Sequence, residues 1–137
     1  MSQDVFVPSA GTAAENEMIA AAAACIERFA ACFNARDARG MDGCLHFPHI
    51  ILSGEKMITW KKPGVLPPQF FDELTRQTGW HHSTYRQTQV VLVSPRKVHF
   101  LVEYTRDRQD GTSISAHRNL WIVTYEQARW AIKQRSY

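Results

Sequence analysis

Residues 120–136 read LWIVTYEQARWAIKQRS. An apolar run from Leu120 to Tyr125 meets a short polar break and then a second run in which apolar and polar residues mix. A break this short joins neighbouring antiparallel strands. With the turn centred on Gln127–Ala128, Tyr125 lies opposite Trp130 and Val123 opposite Ile132. Side chains alternate along a strand, so Trp121, Trp130, Ile132 and Gln134 are expected on one face of the ladder. Arg129 to Arg135 is the densest basic stretch of the chain; Trp130 and Ile132 interrupt it, so half of it should face inward.

Working back from this hairpin, three more strand-like runs appear: HHSTYRQTQVVLV from His81, KVHFLVEYTRDRQ from Lys97 and SISAHRNLWIVTY from Ser113. They are joined by Ser94-Pro95-Arg96-Lys97 and by an Asp110–Gly111 turn, both short, which predicts an antiparallel meander. The first turn pairs Val91 with Phe100 and Gln87 with Tyr104. The second pairs Tyr104 with His117 and Phe100 with Trp121. One face should then carry Tyr85, Gln87, Gln89, Val91, Phe100, Tyr104, Arg106, His117, Asn119, Trp121, Trp130 and Gln134. It is apolar at one end and aromatic-polar at the other, the character of a pocket wall. The opposite face carries His99, Leu101, Leu120 and Ile122, with a Glu103–Arg118 cross-strand pair. Helices can cover one face of such a sheet, and the apolar residues on the other suggest a partner subunit.

The first half of the chain reads differently. Residues 1–11 look like a flexible N-terminal tail, and residues 12–137 a single domain. Thr12 to Glu15 is a capping box, after which Met18, Ala22, Cys25, Ile26, Phe29 and Phe33 recur at helical spacing. Asp37 can cap a short second helix ending near Cys44. Two apolar runs flank Gly54–Glu55 as a hairpin that sets Ile51 by Ile58 and His49 by Trp60. A third helix, QFFDELTRQT, is closed by Gly79. Helices with a hairpin, then a four-strand meander, indicate an α+β fold.

Composition narrows the function. The 137 residues are 45% hydrophobic, enough for one core. The formal charge of +3 suits an anionic ligand and is too small and dispersed for nucleic acid. The three cysteines show no paired spacing, which argues against a disulfide framework and for a reducing, cytoplasmic setting. The apolar stretch from Met18 to Ile26 is too short to span a bilayer, and acidic residues precede it where an export signal would be basic.

The chain resembles the nuclear transport factor 2-like superfamily, which includes SnoaL-like cyclases and ketosteroid isomerase-like proteins. The resemblance covers residues 13–137 and rests on the long first helix ending FNARDARGMDGCL, the short hairpin, the meander, and an ending in which Trp130 and Ser136 match. Ala128 stands where that ending usually has Gly. The resemblance implies a cystatin-like cone: a curved, mostly antiparallel sheet wrapped around about three N-terminal and central helices. It also implies a pocket at the open end and, in many members, a homodimer through the outer sheet face. Several chemistries and non-catalytic assembly modules share this fold, so it does not choose a function.

Candidate chemistry must come from individual residues. HFPHI, residues 46–50, sets two histidines three apart, but Pro48 divides them and no thiolates lie at ligand spacing, so no metal and no cofactor is expected. His49 is either a strand residue packed on Trp60 or a group bordering the pocket. His117, beside Tyr104 and Asn119, can serve as an acid or base or can line a polar rim. The aspartate on which ketosteroid isomerases and SnoaL-like cyclases rely has no counterpart on the pocket face. The expected function is therefore a small-molecule pocket for a hydrophobic oxygenated or anionic ligand, lined by Trp60, Tyr85, Phe100, Arg106, Asn119, Trp121, Trp130 and Gln134. The alternatives are a cofactor-independent enzyme using His117 and Tyr104 with His49 assisting, and a non-catalytic dimeric assembly module.

Overall fold

The structure, a computed structural model, describes residues 12–137; the tail assigned to residues 1–11 lies outside the described residues. Helix α1 spans Ala13–Asn34, and the Thr12 hydroxyl accepts a hydrogen bond from the Glu15 amide at 3.1 Å. Its buried stripe is Ala22, Cys25, Ile26 and Phe29, one face at helical spacing. Met18 and Phe33 extend the stripe as half-buried residues against the core. Asn34 fixes the end of α1 to the sheet by donating to the Ser83 carbonyl and accepting from the Ser83 amide, at 2.9 and 2.8 Å. Helix α2, Ala38–Asp42, is capped by the Asp37 carboxylate on the Gly40 amide. Gly40 is there because a side chain would collide with the Asp37 carboxylate and the Cys32 sulfur.

The strands are β1 (Leu45–Ser53), β2 (Lys56–Trp60), β3 (His82–Ser94), β4 (Lys97–Asp107), β5 (Ser113–Glu126) and β6 (Arg129–Ser136), with helix α3 (Phe70–Thr78) between β2 and β3. Gly79 ends α3 in the left-handed conformation, φ 82°. One six-stranded sheet runs β2-β1-β6-β5-β4-β3. All neighbours are antiparallel except β1 and β6, which run parallel and join the hairpin to the meander. This is the α+β, mostly antiparallel architecture expected from the order of elements. Helix α1 lies against β3, β5 and β6. The core between them holds Phe29, Phe100, Val102, Trp121, Val123 and Ile132, with Phe29 edge-on to Trp121 at 5.4 Å. No helix among the described residues is long and apolar enough to cross a membrane.

Most turn registers hold. Ile51 pairs with Ile58, His49 with Trp60, Tyr104 with His117, Phe100 with Trp121, Tyr125 with Trp130 and Val123 with Ile132. Glu103 and Arg118 form an ion pair at 3.2 Å. Two stretches correct the expected faces. On β3, Ser94 pairs with Lys97 as the turn requires, but the register then slips at Val91 and again at Arg86. Phe100 therefore meets Val90 rather than Val91, and Tyr104 meets Tyr85 rather than Gln87. Val91 is half exposed, and Gln87 and Gln89 are exposed. On β6 the register slips at Lys133, so Gln134 pairs with Ile122 and Arg135 pairs with Trp121. Each slip is a β-bulge, an extra residue on one strand that inverts the alternation beyond it. Gln134 thus leaves the inner face and Arg135 enters it.

Candidate functional site

A cavity of about 180 Å³ lies between the inner face of the sheet, α1, and the segment that leads into α3. Phe29 and Phe33 from α1, Trp60 from the end of β2, and Leu66 and Phe70 from the α3 side form its apolar walls. The sheet adds Tyr85, Tyr104, Arg106, Trp121 and Arg135, and Tyr137 follows β6. No aspartate or glutamate borders it among the described residues.

Arg135 is the centre of this site. It is 6% exposed, yet no carboxylate pairs with it among the described residues. Its Nε donates to His49 Nε2 at 3.0 Å and its Nη1 donates to the Tyr137 hydroxyl at 3.0 Å. The guanidinium carbon lies 5.0 Å from the Phe29 ring centre, 5.4 Å from Trp60, and 5.9 Å from both Trp121 and Tyr137. An arginine keeps its charge when buried, and the aromatic faces offset part of the lost hydration.

His49, fully buried, is the residue that aims Arg135. A guanidinium can only donate, so Nε2 of His49 is the acceptor, and Nδ1 carries the proton and donates to the Ile132 carbonyl at 3.1 Å. That leaves one tautomer. Burial, and then the Arg135 charge, push the imidazole down to about 3, so it is neutral at ordinary pH. Its ring also sits against Trp60, 5.9 Å between centres. His46 Nε2 donates to the Thr124 carbonyl at 3.0 Å on β5. The two histidines of HFPHI therefore engage backbone carbonyls of two different strands.

Two donors on residues around the cavity lack acceptors. Arg106 Nε and Trp121 Nε1 are buried and have no hydrogen-bond partner among the described residues. Asn119 donates to the Tyr104 hydroxyl at 3.1 Å, which leaves the phenol proton free to be donated elsewhere. Burial raises the pKa of Tyr104 and raises that of Tyr85 further, so both stay protonated. The two rings stack at 5.0 Å. His117 stacks on Tyr104 at 4.9 Å, and its Nε2 meets the Ser115 hydroxyl at 2.8 Å. Burial and the nearby Arg106 charge lower its pKa.

Of the residues expected in the pocket, Trp60, Tyr85, Tyr104, Arg106 and Trp121 border the cavity. Phe100 is core, Asn119 supports the Tyr104 hydroxyl, Trp130 packs on Tyr125 at 5.6 Å, and Gln134 lies on the outer side. His49 and His117 stand one residue back, behind Arg135 and Tyr104. Sequence reasoning missed Arg135. The basic stretch that should half face inward was its signal, but the bulge hid which arginine turns in.

Solved structures share this arrangement of helices and sheet. An NTF-2-like protein of unknown function from Shewanella oneidensis MR-1 matches with a TM-score of 0.63 over 87% of this chain and 97% of its own, at 8% identity. A protein of unknown function with a cystatin-like fold from Nostoc punctiforme PCC 73102 matches with a TM-score of 0.66 over 91% and 90%, at 11% identity. The chain has the cystatin-like fold of the NTF-2-like proteins. A ketosteroid isomerase-like protein from Erwinia carotovora atroseptica SCRI1043 gives a TM-score of 0.63 over 88% and 95%, at 15% identity. No protein-family model matches the sequence, and no curated protein matches it. At these identities the NTF-2-like likeness extends to the fold alone, and function has to be argued from the cavity.

Proposed function

We propose that this NTF-2-like chain is a small-molecule-binding protein whose cavity takes a compact, largely apolar ligand with an anionic, oxygen-bearing end anchored at Arg135. One observation carries the reading: a buried arginine with no carboxylate partner among the described residues, bordering an aromatic cavity. Folded proteins pair almost all such groups, and an uncompensated buried cation is costly. An anion in the cavity supplies what the chain does not.

Acid/base chemistry finds less support. Among the described residues no aspartate or glutamate borders the cavity, the His49 lone pair is taken by Arg135, and His117 is not among the lining groups. Tyr104 is the remaining candidate, as a proton donor. An assembly module without ligand would leave Arg135, buried and with no carboxylate partner among the described residues, unexplained.

The reading is tested by thermal-shift screening with matched pairs of small organic acids and their primary amides. Acids should raise the melting temperature and amides should not, since a ligand stabilises the state it binds. Equal shifts from amides would defeat the proposal.

A further inference from the structure

We propose that the ligand is a monocyclic carboxylate, a single six-membered ring bearing one carboxylate group; this rests on the anionic reading of the cavity given above. Size sets the ring count. A cavity of about 150 Å³ lined by apolar side chains takes up benzene, and the cavity here is about 180 Å³. One ring with a small substituent fills that volume, whereas a fused ring system or a long acyl chain would have to extend out through the open side. The walls that would meet that ring are Phe29, Trp60 and Trp121, whose faces and edges suit a planar or cyclic apolar body.

The polar end sets the headgroup. Two of the five N–H groups of Arg135 are used, by His49 and Tyr137, which leaves three without a partner among the described residues. The Tyr104 hydroxyl proton adds a donor on a residue that borders the same cavity. A site built of donors needs a headgroup that only accepts. A carboxylate offers about four lone-pair sites on two oxygens in one plane, the shape that a guanidinium fork matches. An alcohol or amide brings a proton of its own, and an amine meets two guanidinium charges.

Tryptophan fluorescence and calorimetric titrations with benzoate, benzenesulfonate, benzyl alcohol and decanoate test this on the intact chain. Benzoate should bind one to one and at least tenfold tighter than benzyl alcohol, which is about 1.4 kcal/mol. Arg135→Lys, which keeps a charge but loses the planar fork, should weaken benzoate at least tenfold. If that variant does not fold, Tyr104→Phe keeps the aromatic ring and removes one hydroxyl donor, and should weaken benzoate more than benzyl alcohol. Benzenesulfonate or decanoate binding as tightly as benzoate would overturn the carboxylate-on-one-ring assignment and leave the anionic reading standing. Benzyl alcohol binding as tightly as benzoate would overturn both. Failure of benzoate to bind while other acids stabilise the protein would overturn this assignment alone.

Discussion

Acid should destabilise this protein in part through His49, and a His49→Gln variant should resist that part of the loss. The imidazole is held neutral with a pKa of about 3, against 6.5 for an ordinary histidine. Between those values the unfolded chain binds a proton that the folded chain refuses, so stability falls as pH falls. The contribution is fully present above pH 6.5 and is lost progressively towards pH 3. Lowering the pH from about 7 to about 4.5 should remove about 2.5 kcal/mol through this one group, at about 1.4 kcal/mol per unit of pKa difference. A glutamine in its place cannot titrate, yet its side-chain oxygen can accept from Arg135 Nε. Urea unfolding of both proteins at these two pH values gives the four free energies needed. The variant should be less stable at neutral pH and lose roughly 2–3 kcal/mol less on acidification. Parallel losses in the two proteins would refute the claim that the imidazole is locked as an acceptor beneath the guanidinium.

Other predictions use the same scaffold. Gln127 and Ala128 both have positive φ, 53° and 60°, so Ala128→Gly should relieve left-handed strain and stabilise the protein by about 1 kcal/mol in urea titration. Trp121→Ala should cost roughly 3–5 kcal/mol by the same assay, because the ring is 1% exposed and packs on Phe29. We infer a homodimer through the outer sheet face, where Leu101, Leu120 and Ile122 are only half buried in the single chain. Leu120→Glu should shift sedimentation to the monomer, and an unchanged sedimentation coefficient at low concentration would count against that face.

The fold was legible because its signals are local. Thr12, Asp37 and Gly79 mark helix ends through their own backbone chemistry, and short turns dictate which residues face each other. Tyr104 opposite His117 and Val123 opposite Ile132 follow from turn length. The parallel pairing of β1 with β6 was not legible, since it joins strands far apart in the chain and no turn records it. The site was only half legible for a related reason. Tyr85, Tyr104, Arg106 and Trp121 lie on stretches where alternation from a turn survives, or on β3 where the first residues regain it after two slips. Arg135 lies beyond a bulge, and a bulge is set by how three strands settle against the core rather than by the residues that form it. His49 could be placed beside Trp60, but its role depends on Arg135 and was hidden with it.

The extra residue at Lys133 also changes how kinship to this pocket should be sought. Here five positions separate Trp130 from the inward arginine; in a chain with an unbroken ladder the equivalent arginine would follow its tryptophan by four. Two proteins could therefore hold the same cation at the same point in space while their columns, matched letter by letter, set Arg135 against a surface residue. A search for chains with this geometry has to allow a one-residue gap between the tryptophan and the arginine, or it will score chains that hold the same inward cation as lacking it.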